Sequence, residues 1–192
     1  MKILLIAASS DEIIKESFPN SEILISGVGM VNTTFFLTKE LCENQYDLVI
    51  NMGLAGSFTD EIKVGEVVEV VEDYFSEIGF ENGAEFKQFS DFEIATKYSV
   101  EGKTNLPKVN GITVNTVHGN EASIAKIIDR LNPDVESMEG AAVFKVCKEF
   151  AVPCMQVRAI SNKVEKRNKE NWDLPLAIQS LNNAVVVIIA EL

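Results

Sequence analysis

The sequence predicts an α/β domain in which helices cover a mixed, largely parallel β-sheet. Short continuous apolar runs such as "KILLIAA" (Lys2–Ala8) are typical of strands that are buried on both faces. These runs alternate with segments of helical periodicity, which favours strand–helix–strand connections. No repeat, low-complexity tract or proline- and glycine-rich linker interrupts the 192 residues. We therefore expect a single domain over residues 1–192.

The first half of the chain contains most of the predicted strands. After the first strand at Lys2–Ala8, a second strand ends in glycines, and a helix follows it. A buried strand then enters a glycine-rich turn, and the next strand alternates in part, as expected when one face is wetter. These elements are the strand Ser21–Gly29, the helix Met30–Asn44, and the strands Tyr46–Phe58 and Val64–Phe75.

The second half begins with a polar, irregular stretch, Phe80–Lys108, in which a short helix is expected near Phe92–Val100. The elements predicted beyond it are a strand at Gly111–Val117, an amphipathic helix at Asn120–Leu131, a buried helix at Met138–Phe150, a strand from Val152 and a final helix from about Trp172. Asn120 is a good N-cap for its helix.

The formal net charge of −12 argues against a nucleic acid or an anionic membrane as partner. Binding to either polyanion needs a basic face that releases counterions. A small anionic ligand held by one or two local cations stays possible. The apolar C-terminal stretch "LAIQSLNNAVVVIIAEL" is interrupted by polar residues, which favours a core-facing helix over a membrane span.

The cysteine and histidine content limits the chemistry available to the chain. Cys42, Cys147 and Cys154 lack metal-type spacing and are expected to be reduced thiols in a cytoplasmic protein. The single histidine, His118, makes a histidine-rich metal site impossible and a Ser-His-Asp triad improbable. We expect no metal or organic cofactor, and we interpret His118 as a loop residue with ordinary hydrogen bonds.

Three charged residues lie at or inside predicted apolar elements. Glu12 follows the first strand, Glu139 begins a buried helix, and Arg158 lies inside an apolar strand. Structural roles are available to each: a helix-start charge for Glu12, capping by Ser137 and Glu139, and an ion pair between Arg158 and either glutamate. A buried carboxylate needs partners, and sugar hydroxyls are suitable donors for one.

Two glycine-rich turns, "SGVGMVN" and "NMGLAGSF", allow a ligand to approach the backbone closely. Gly53, in the second turn, is a candidate contact to substrate. Neither turn matches a P-loop or a dinucleotide fingerprint, so they support nucleoside triphosphate or NAD binding only weakly. Neither contains the arginine that a phosphate pocket normally uses.

Taken together, several of these stretches resemble the nucleoside phosphorylase/nucleosidase superfamily. The stretches are Glu12 after the first strand, "SGVGMVNTT", "INMGLAGSFTDEIKVGEVV" and "MEGAAVFKVCKEFAVPCMQVRAIS". The general likeness is to the methylthioadenosine/S-adenosylhomocysteine nucleosidases, and it covers nearly the whole chain. The resemblance implies a three-layer nucleoside phosphorylase-like fold and a homo-oligomer.

Within the superfamily the chain is most similar to the futalosine hydrolases. This likeness rests on "ESMEGAA", "VVEDYFSEIGFENG" and "RAISN" followed by a basic segment, a tryptophan and "PLAI". It implies hydrolysis of the N-glycosidic bond of futalosine to hypoxanthine and dehypoxanthine futalosine, a step of menaquinone biosynthesis. An inosine or guanosine phosphorylase, another purine nucleosidase and a non-catalytic nucleoside-binding protein are the alternatives.

The resemblance also implies roles for individual residues. Glu12 would deprotonate the attacking water, with Arg158 and Glu139 positioning it. Glu139 would hold the ribose 2′ and 3′ hydroxyls, and Met138 would pack under the sugar. By analogy, residues that stack on the base would lie near Asn120–Ala122.

Asn162 is the informative departure from the adenine-specific relatives, which have an aspartate at the matching position. An amide N–H can donate to nitrogen 7 and oxygen 6 of a 6-oxopurine, both of which are acceptors, whereas an ionised carboxylate would repel oxygen 6. Asn162 therefore indicates hypoxanthine or guanine over adenine. Ser161 is expected to orient the Asn162 side chain.

The segment after the last predicted strand is basic, with Lys163, Lys166, Arg167 and Lys169 ahead of Trp172. Futalosine has a benzoate on a short ketone arm at the ribose 5′ end, and a benzoate needs a cation and an apolar slot. Arg167 and Trp172 are candidates for that role or for a lid. A solvated charged loop explains the same composition equally well.

Overall fold

The computed structural model describes residues 1–83, 85–89, 91 and 93–192. Its helices and strands, in chain order, are β1 (Ile3–Ala7), β2 (Glu22–Ile25), α1 (Met30–Glu43), β3 (Leu48–Ser57), β4 (Val67–Phe75), β5 (Phe80–Asn82), β6 (Glu85–Lys87), β7 (Lys97–Ser99), β8 (Lys108–Thr113), α2 (Glu121–Leu131), β9 (Val135–Ser137), α3 (Gly140–Glu149), β10 (Cys154–Lys163) and α4 (Leu174–Glu191). Short 3₁₀ turns cover Ser10–Glu12, Lys15–Ser17 and Lys169–Asn171.

The main sheet is mixed, as the sequence predicts. Its strand order is β10-β4-β8-β9-β3-β1-β2, with β7 paired to β4. Strand β3 pairs in parallel with both β1 and β10, whereas the β10–β4 and β3–β9 pairs are antiparallel. Because β10 also pairs with β3, the strands from β10 to β3 close on themselves, which the sequence pattern does not reveal.

The alternation of side chains along β1 defines the two faces of the sheet. Ile3 and Leu5 pack in the same apolar cluster as Leu181 of α4. Leu4 and Ile6 point the other way and share a cluster with residues of α1 and α3. Helix, sheet and helix therefore form three layers, and the predicted fold class is confirmed.

One face of helix α4 packs into the core. Lys169–Glu191 is the one span among the described residues that is long and apolar enough to cross a membrane by length and composition alone. Its Ala177, Leu181, Val185 and Ile188 are buried against the sheet. This packing agrees with the predicted core-facing helix, and core helices pass the same composition test.

Several elements differ from the sequence predictions. The prediction of a helix near Phe92–Val100 is wrong for the C-terminal part of that range, where β7 (Lys97–Ser99) pairs with β4. Phe92 itself lies outside the described residues. Strand β8 begins and ends earlier than predicted. The short strand β9 was not predicted, because its three residues include a glutamate and a serine and look like a helix start. Asn120 caps α2 as predicted, accepting from the N–H groups of Ala122 and Ser123.

Candidate active site

A cavity of about 360 Å³ opens where parallel strands β1, β3 and β10 end. Ligands in α/β sheets bind at the carboxyl ends of strands, and this volume suits a small molecule. Seven of the nine predicted site residues line the cavity: Glu12, Met138, Glu139, Ser161, Asn162, Arg167 and Trp172. The other two, Arg158 and Gly53, do not line the cavity. They lie behind its wall, next to Glu12 and Glu139.

Glu12 is held by hydrogen bonds in the 3₁₀ turn that follows the first strand. Its Oε2 accepts from the N–H groups of Ala8 and Ser9, each at 3.0 Å, and its Oε1 accepts from Leu54 N–H at 3.2 Å. Asn182 of α4 donates to the Glu12 carbonyl at 3.0 Å, so the C-terminal helix fixes this segment. Burial raises the pKa of Glu12, while Arg158 opposes that rise. A carboxylate with a raised pKa is a better proton acceptor near neutral pH.

Arg158 is 1% exposed, and neighbouring side chains hold its guanidinium. Its Nε donates to Gln156 Oε1 at 2.8 Å and its Nη2 to Asn51 Oδ1 at 2.6 Å. Its Nη1 lies 3.7 Å from Glu139 Oε2. A buried guanidinium is tolerated only when its donors are satisfied in this way.

Gly53 makes room for Arg158. The two residues are directly opposite on neighbouring strands β3 and β10. A Cβ on Gly53 would lie 2.2 Å from Arg158 Nη1 and 3.2 Å from Glu12 Oε1. The glycine thus permits Arg158 and Glu12 to occupy the same small volume.

Glu139 does not cap its own helix. It occupies the N-cap position of α3, but its side chain makes no capping hydrogen bond. Instead, Oε1 accepts from Gly29 N–H at 3.0 Å, which joins the start of α1 to the cavity. The capping interpretation of Glu139 is therefore wrong, and the expected pairing with Arg158 is present.

A buried hydrogen-bond network supports Arg158, and the sequence analysis missed it. Gln156 donates to Asp73 Oδ2 at 2.9 Å, and Thr113 donates to Asp73 Oδ1 at 2.9 Å. Burial raises the pKa of Asp73 to about 6, against the opposing hydrogen bonds from Gln156 and Thr113. Asp73 and Gln156 lie inside the largely buried strands β4 and β10, and a polar residue inside a buried strand was the available signal.

A β-bulge places Ser161 and Asn162. The register between β10 and β3 shifts between Ile160 and Asn162, so Ser161 is the extra residue. Bulges reorient side chains next to active sites. The Ser161 hydroxyl donates to Asn162 Oδ1 at 2.8 Å, and Asn162 Nδ2 donates to the Lys163 carbonyl at 3.0 Å. The contact expected between Ser161 and Asn162 is present.

His118 and Glu136 also line the cavity, and neither was predicted as a site residue. His118 Nδ1 lies 2.7 Å from Glu136 Oε2, and the His118 N–H donates to the same carboxylate. Residues that stack on the base were expected near Asn120–Ala122, and these three residues themselves are not among those that line the cavity. Val117 and His118 line it.

Arg167 and Trp172 lie together at the cavity wall. The Arg167 guanidinium is 5.0 Å from the centre of the Trp172 ring, a cation–π geometry. Lys163 lines the cavity as well and pairs with Asp60.

Within the described ranges, no group of three or more His, Cys, Asp or Glu residues could hold a metal ion.

These features define a small-molecule site with two buried glutamates beside an arginine, in a three-layer α/β fold. The chain belongs to the phosphorylase superfamily, whose family model matches residues 21–190. It is 26% identical over 181 residues to the futalosine hydrolase of Thermus thermophilus, covering 88% of this chain and 80% of that protein.

Two solved structures share the fold over the whole chain. The native futalosine hydrolase of Helicobacter pylori superposes with a TM-score of 0.87 at 19% identity, covering 100% of this chain and 98% of that one. A mutant of the Helicobacter pylori nucleosidase MTAN, with 5′-methylthioadenosine in its active site, gives 0.85 at 19% identity, covering 100% and 99%. The predicted resemblance is confirmed, and these relatives confirm the predicted enzyme class, that of the N-glycosidic hydrolases.

Proposed function

We propose that this protein hydrolyses the N-glycosidic bond of futalosine, releasing hypoxanthine and dehypoxanthine futalosine in menaquinone biosynthesis. The likeness to the Thermus thermophilus futalosine hydrolase supports the substrate. The free thiols of Cys42, Cys147 and Cys154 support a cytoplasmic location.

The buried carboxylates fit the chemistry of this bond. Cleavage passes through a ribosyl cation-like state while negative charge moves to the base, so catalysis needs a water at the anomeric carbon and donors at the purine. Glu12, with its raised pKa, takes the proton of that water as it bonds to the anomeric carbon and the C–N bond breaks. The electron pair of that bond leaves with the purine, which takes a proton from solvent to become hypoxanthine. Glu139 accepts from the ribose hydroxyls, and Met138 packs under the sugar. Arg158 balances the charge of both glutamates.

The observation that carries the proposal is the orientation of the Asn162 amide. Because Oδ1 accepts from Ser161, the amide presents its N–H groups as donors, and only one of them is used by the Lys163 carbonyl. The free N–H suits nitrogen 7 or oxygen 6 of a 6-oxopurine. The 6-amino group of adenine would meet a donor there, so methylthioadenosine fits this end of the cavity poorly.

Water fits the site better than phosphate as the nucleophile. Arg158 donates to Gln156 and Asn51, and its charge is paired with Glu139 at 3.7 Å. The glycine-rich turns Ser26–Thr34 and Asn51–Ser57 supply no lysine or arginine. A phosphate group would lack the charge-assisted donors that normally bind it.

The Arg167–Trp172 pair suits the 5′ substituent of futalosine. A guanidinium that stacks on an aromatic ring presents its edge to a carboxylate, while the ring supplies an apolar wall. We assign the benzoate to this part of the cavity wall.

We further propose that the protein is a homo-oligomer that pairs through α1. Val31 and Phe35 are 76% and 63% exposed, and Phe36 lies beside them. Val28, at the edge of this apolar face, also lines the cavity, so a second subunit would cover the site's margin. Sedimentation of wild type and Phe35→Glu tests this. We expect the wild type to sediment as an oligomer and the variant as a monomer. A monomeric mass for both proteins would contradict the proposal.

An assay of purified protein with futalosine, in phosphate-free buffer, tests the proposed reaction. We expect hypoxanthine release at a rate that added phosphate does not change. Release that requires phosphate would indicate a phosphorylase. Binding of futalosine without turnover would indicate a non-catalytic binding protein.

A further inference from the structure

Glu136 is a buried carboxylate that the proposed chemistry does not use. It lies in the centre of β9, opposite Gly56 of β3 and Ile112 of β8. Its residue is 4% exposed, yet it lines the cavity. Burying a carboxylate costs free energy unless hydrogen bonds compensate, so the contacts of each of its acceptor positions matter at a cavity wall.

His118 holds this carboxylate in one orientation. The backbone N–H of His118 lies 3.1 Å from Oε1 and 3.3 Å from Oε2, and the ring Nδ1 lies 2.7 Å from Oε2. The ring itself packs edge-on against Phe58, with centroids 6.0 Å apart. These contacts fill one side of the carboxylate, and an ionised carboxylate has about four acceptor positions, so acceptor capacity remains.

Glu136 faces the same small space as Asn162. Gly56 lies between them: a Cβ placed on it would lie 3.2 Å from Asn162 Nδ2 and 3.6 Å from Glu136 Cγ. The same Cβ would meet Val164 Cγ2 at 2.8 Å, so Gly56 keeps this space open. A fixed acceptor and a fixed donor therefore stand side by side at one end of the cavity.

We propose that Glu136 is a specificity-determining residue that accepts a hydrogen bond from the N1–H of a 6-oxopurine. This inference rests on the proposed function. In hypoxanthine, nitrogen 7 and oxygen 6 accept and nitrogen 1 donates, along one continuous edge. Asn162 supplies the donor for that edge, and Glu136 supplies the acceptor. In adenine the exocyclic 6-amino group donates and nitrogen 1 accepts, the reverse of hypoxanthine. Adenine would therefore meet mismatches at two positions.

Replacing Glu136 by glutamine tests this reading without changing the size of the side chain. The donors of His118 hold the glutamine carbonyl, which turns its NH₂ toward the base. An NH₂ there opposes the N1–H of hypoxanthine and matches nitrogen 1 of adenine. We expect Glu136→Gln to lower kcat/KM for futalosine by at least 10-fold, and to shift the ratio of kcat/KM for futalosine over its 6-amino counterpart by at least 10-fold toward the latter.

Glu165→Gln is the matched control, because Glu165 is another carboxylate of the cavity wall and accepts from Asn171 rather than from His118. We expect it to leave the ratio unchanged. If the role of Glu136 is purely structural, Glu136→Gln lowers kcat/KM for both substrates in proportion. An unchanged ratio in this variant therefore overturns the inference. A wild-type protein that prefers the 6-amino substrate overturns both the inference and the proposed function.

Product inhibition of the wild type gives a second measurement that does not depend on folding of the variant. Hypoxanthine should inhibit at a concentration at least 10-fold lower than 1-methylhypoxanthine, in which the N1 proton is replaced. Equal inhibition by the two bases, in a protein that does hydrolyse futalosine, would refute the role of Glu136 alone.

Discussion

The Ser161 hydroxyl donates to Asn162 Oδ1 at 2.8 Å, and this contact sets which end of the Asn162 amide is available to a ligand. The β-bulge at Ser161 makes the contact possible, because it places two consecutive residues of β10 at the cavity. The base preference of the site therefore depends on a local irregularity of one strand.

Changing Asn162 to Asp should weaken action on hypoxanthine nucleosides and favour adenine nucleosides. An ionised carboxylate cannot donate to oxygen 6 and repels it, whereas it accepts from a 6-amino group. We expect kcat/KM for futalosine to fall by 10²-fold or more, about 3 kcal/mol. Steady-state kinetics with futalosine and methylthioadenosine measure this. Full futalosine turnover in Asn162→Asp would show that Asn162 does not read the base.

Changing Glu12 to Gln should remove the general base while keeping the shape of the site. The expected loss in kcat is about 10²–10⁴-fold. The melting temperature should fall modestly, because the glutamine NH₂ would face a backbone N–H from which the carboxylate now accepts. A variant with near wild-type turnover would require a different base.

The wild-type rate should fall on the acid side at a pH above the range of an ordinary glutamate. Burial raises the pKa of Glu12 above the ordinary glutamate value of 4.5. Only the ionised form accepts a proton, so activity is present above the raised pKa and is lost as pH falls through it. A profile of kcat/KM against pH measures the limb, and a flat profile down to pH 4.5 would contradict this assignment.

Changing Gly53 to Ala should displace Arg158, because the new Cβ would lie 2.2 Å from Nη1 and Arg158 is enclosed. Displacing a positioned group by about 1 Å can cost about 10²-fold in rate. Gly119→Ala is the control, since its Cβ would meet Arg167 Cβ at an ordinary 3.5 Å. Equal, small effects of the two substitutions on kcat/KM would show that Gly53 is not needed for the position of Arg158.

Asp73 should make stability depend on pH in a definite direction. Burial raises its pKa to about 6 from 3.8, so the folded state binds more protons than the unfolded state between these values. The contribution of Asp73 to folding is therefore most favourable at low pH and declines as pH rises through about 6. In Asp73→Asn this dependence disappears, a difference on the order of 2 kcal/mol. Urea unfolding of both proteins at pH 4 and 7 measures it, and parallel curves would contradict it.

Changing Arg167 to Ala should raise KM for futalosine by about tenfold and leave KM for inosine nearly unchanged, because inosine lacks the benzoate. Lys166→Ala is the control, since Lys166 is an exposed neighbour that does not line the cavity. Equal effects of Arg167→Ala on both substrates would remove the assignment of the benzoate to this residue.

The layered fold and the charged residues of the candidate site could be predicted from sequence because their signals are local. Buried strands such as Leu48–Ser57 are continuous apolar runs, and Glu12, Glu139 and Arg158 are conspicuous charges in apolar surroundings. The three-residue strand β9 has no such signal, since it is short and includes a glutamate and a serine, and only its pairing with β3 and β8 defines it. The sequence pattern therefore does not identify Glu136 as a cavity residue.

Other parts of the site depend on side-chain directions that a pattern does not encode. Glu139 sits at an N-cap position, yet its carboxylate reaches the Gly29 N–H, 110 residues away in sequence. Asp73 and Gln156 meet only because β4 and β10 pair antiparallel. The bulge at Ser161 likewise follows from the pairing of β10 with β3 rather than from its own residues.

The most direct test of the central claim is the ratio of kcat/KM for futalosine to that for methylthioadenosine, measured as free base released by purified protein without phosphate. We predict a ratio well above one, with hypoxanthine as the base and Glu12→Gln as the inactive control. Release of adenine from methylthioadenosine with no hypoxanthine from futalosine would contradict the account.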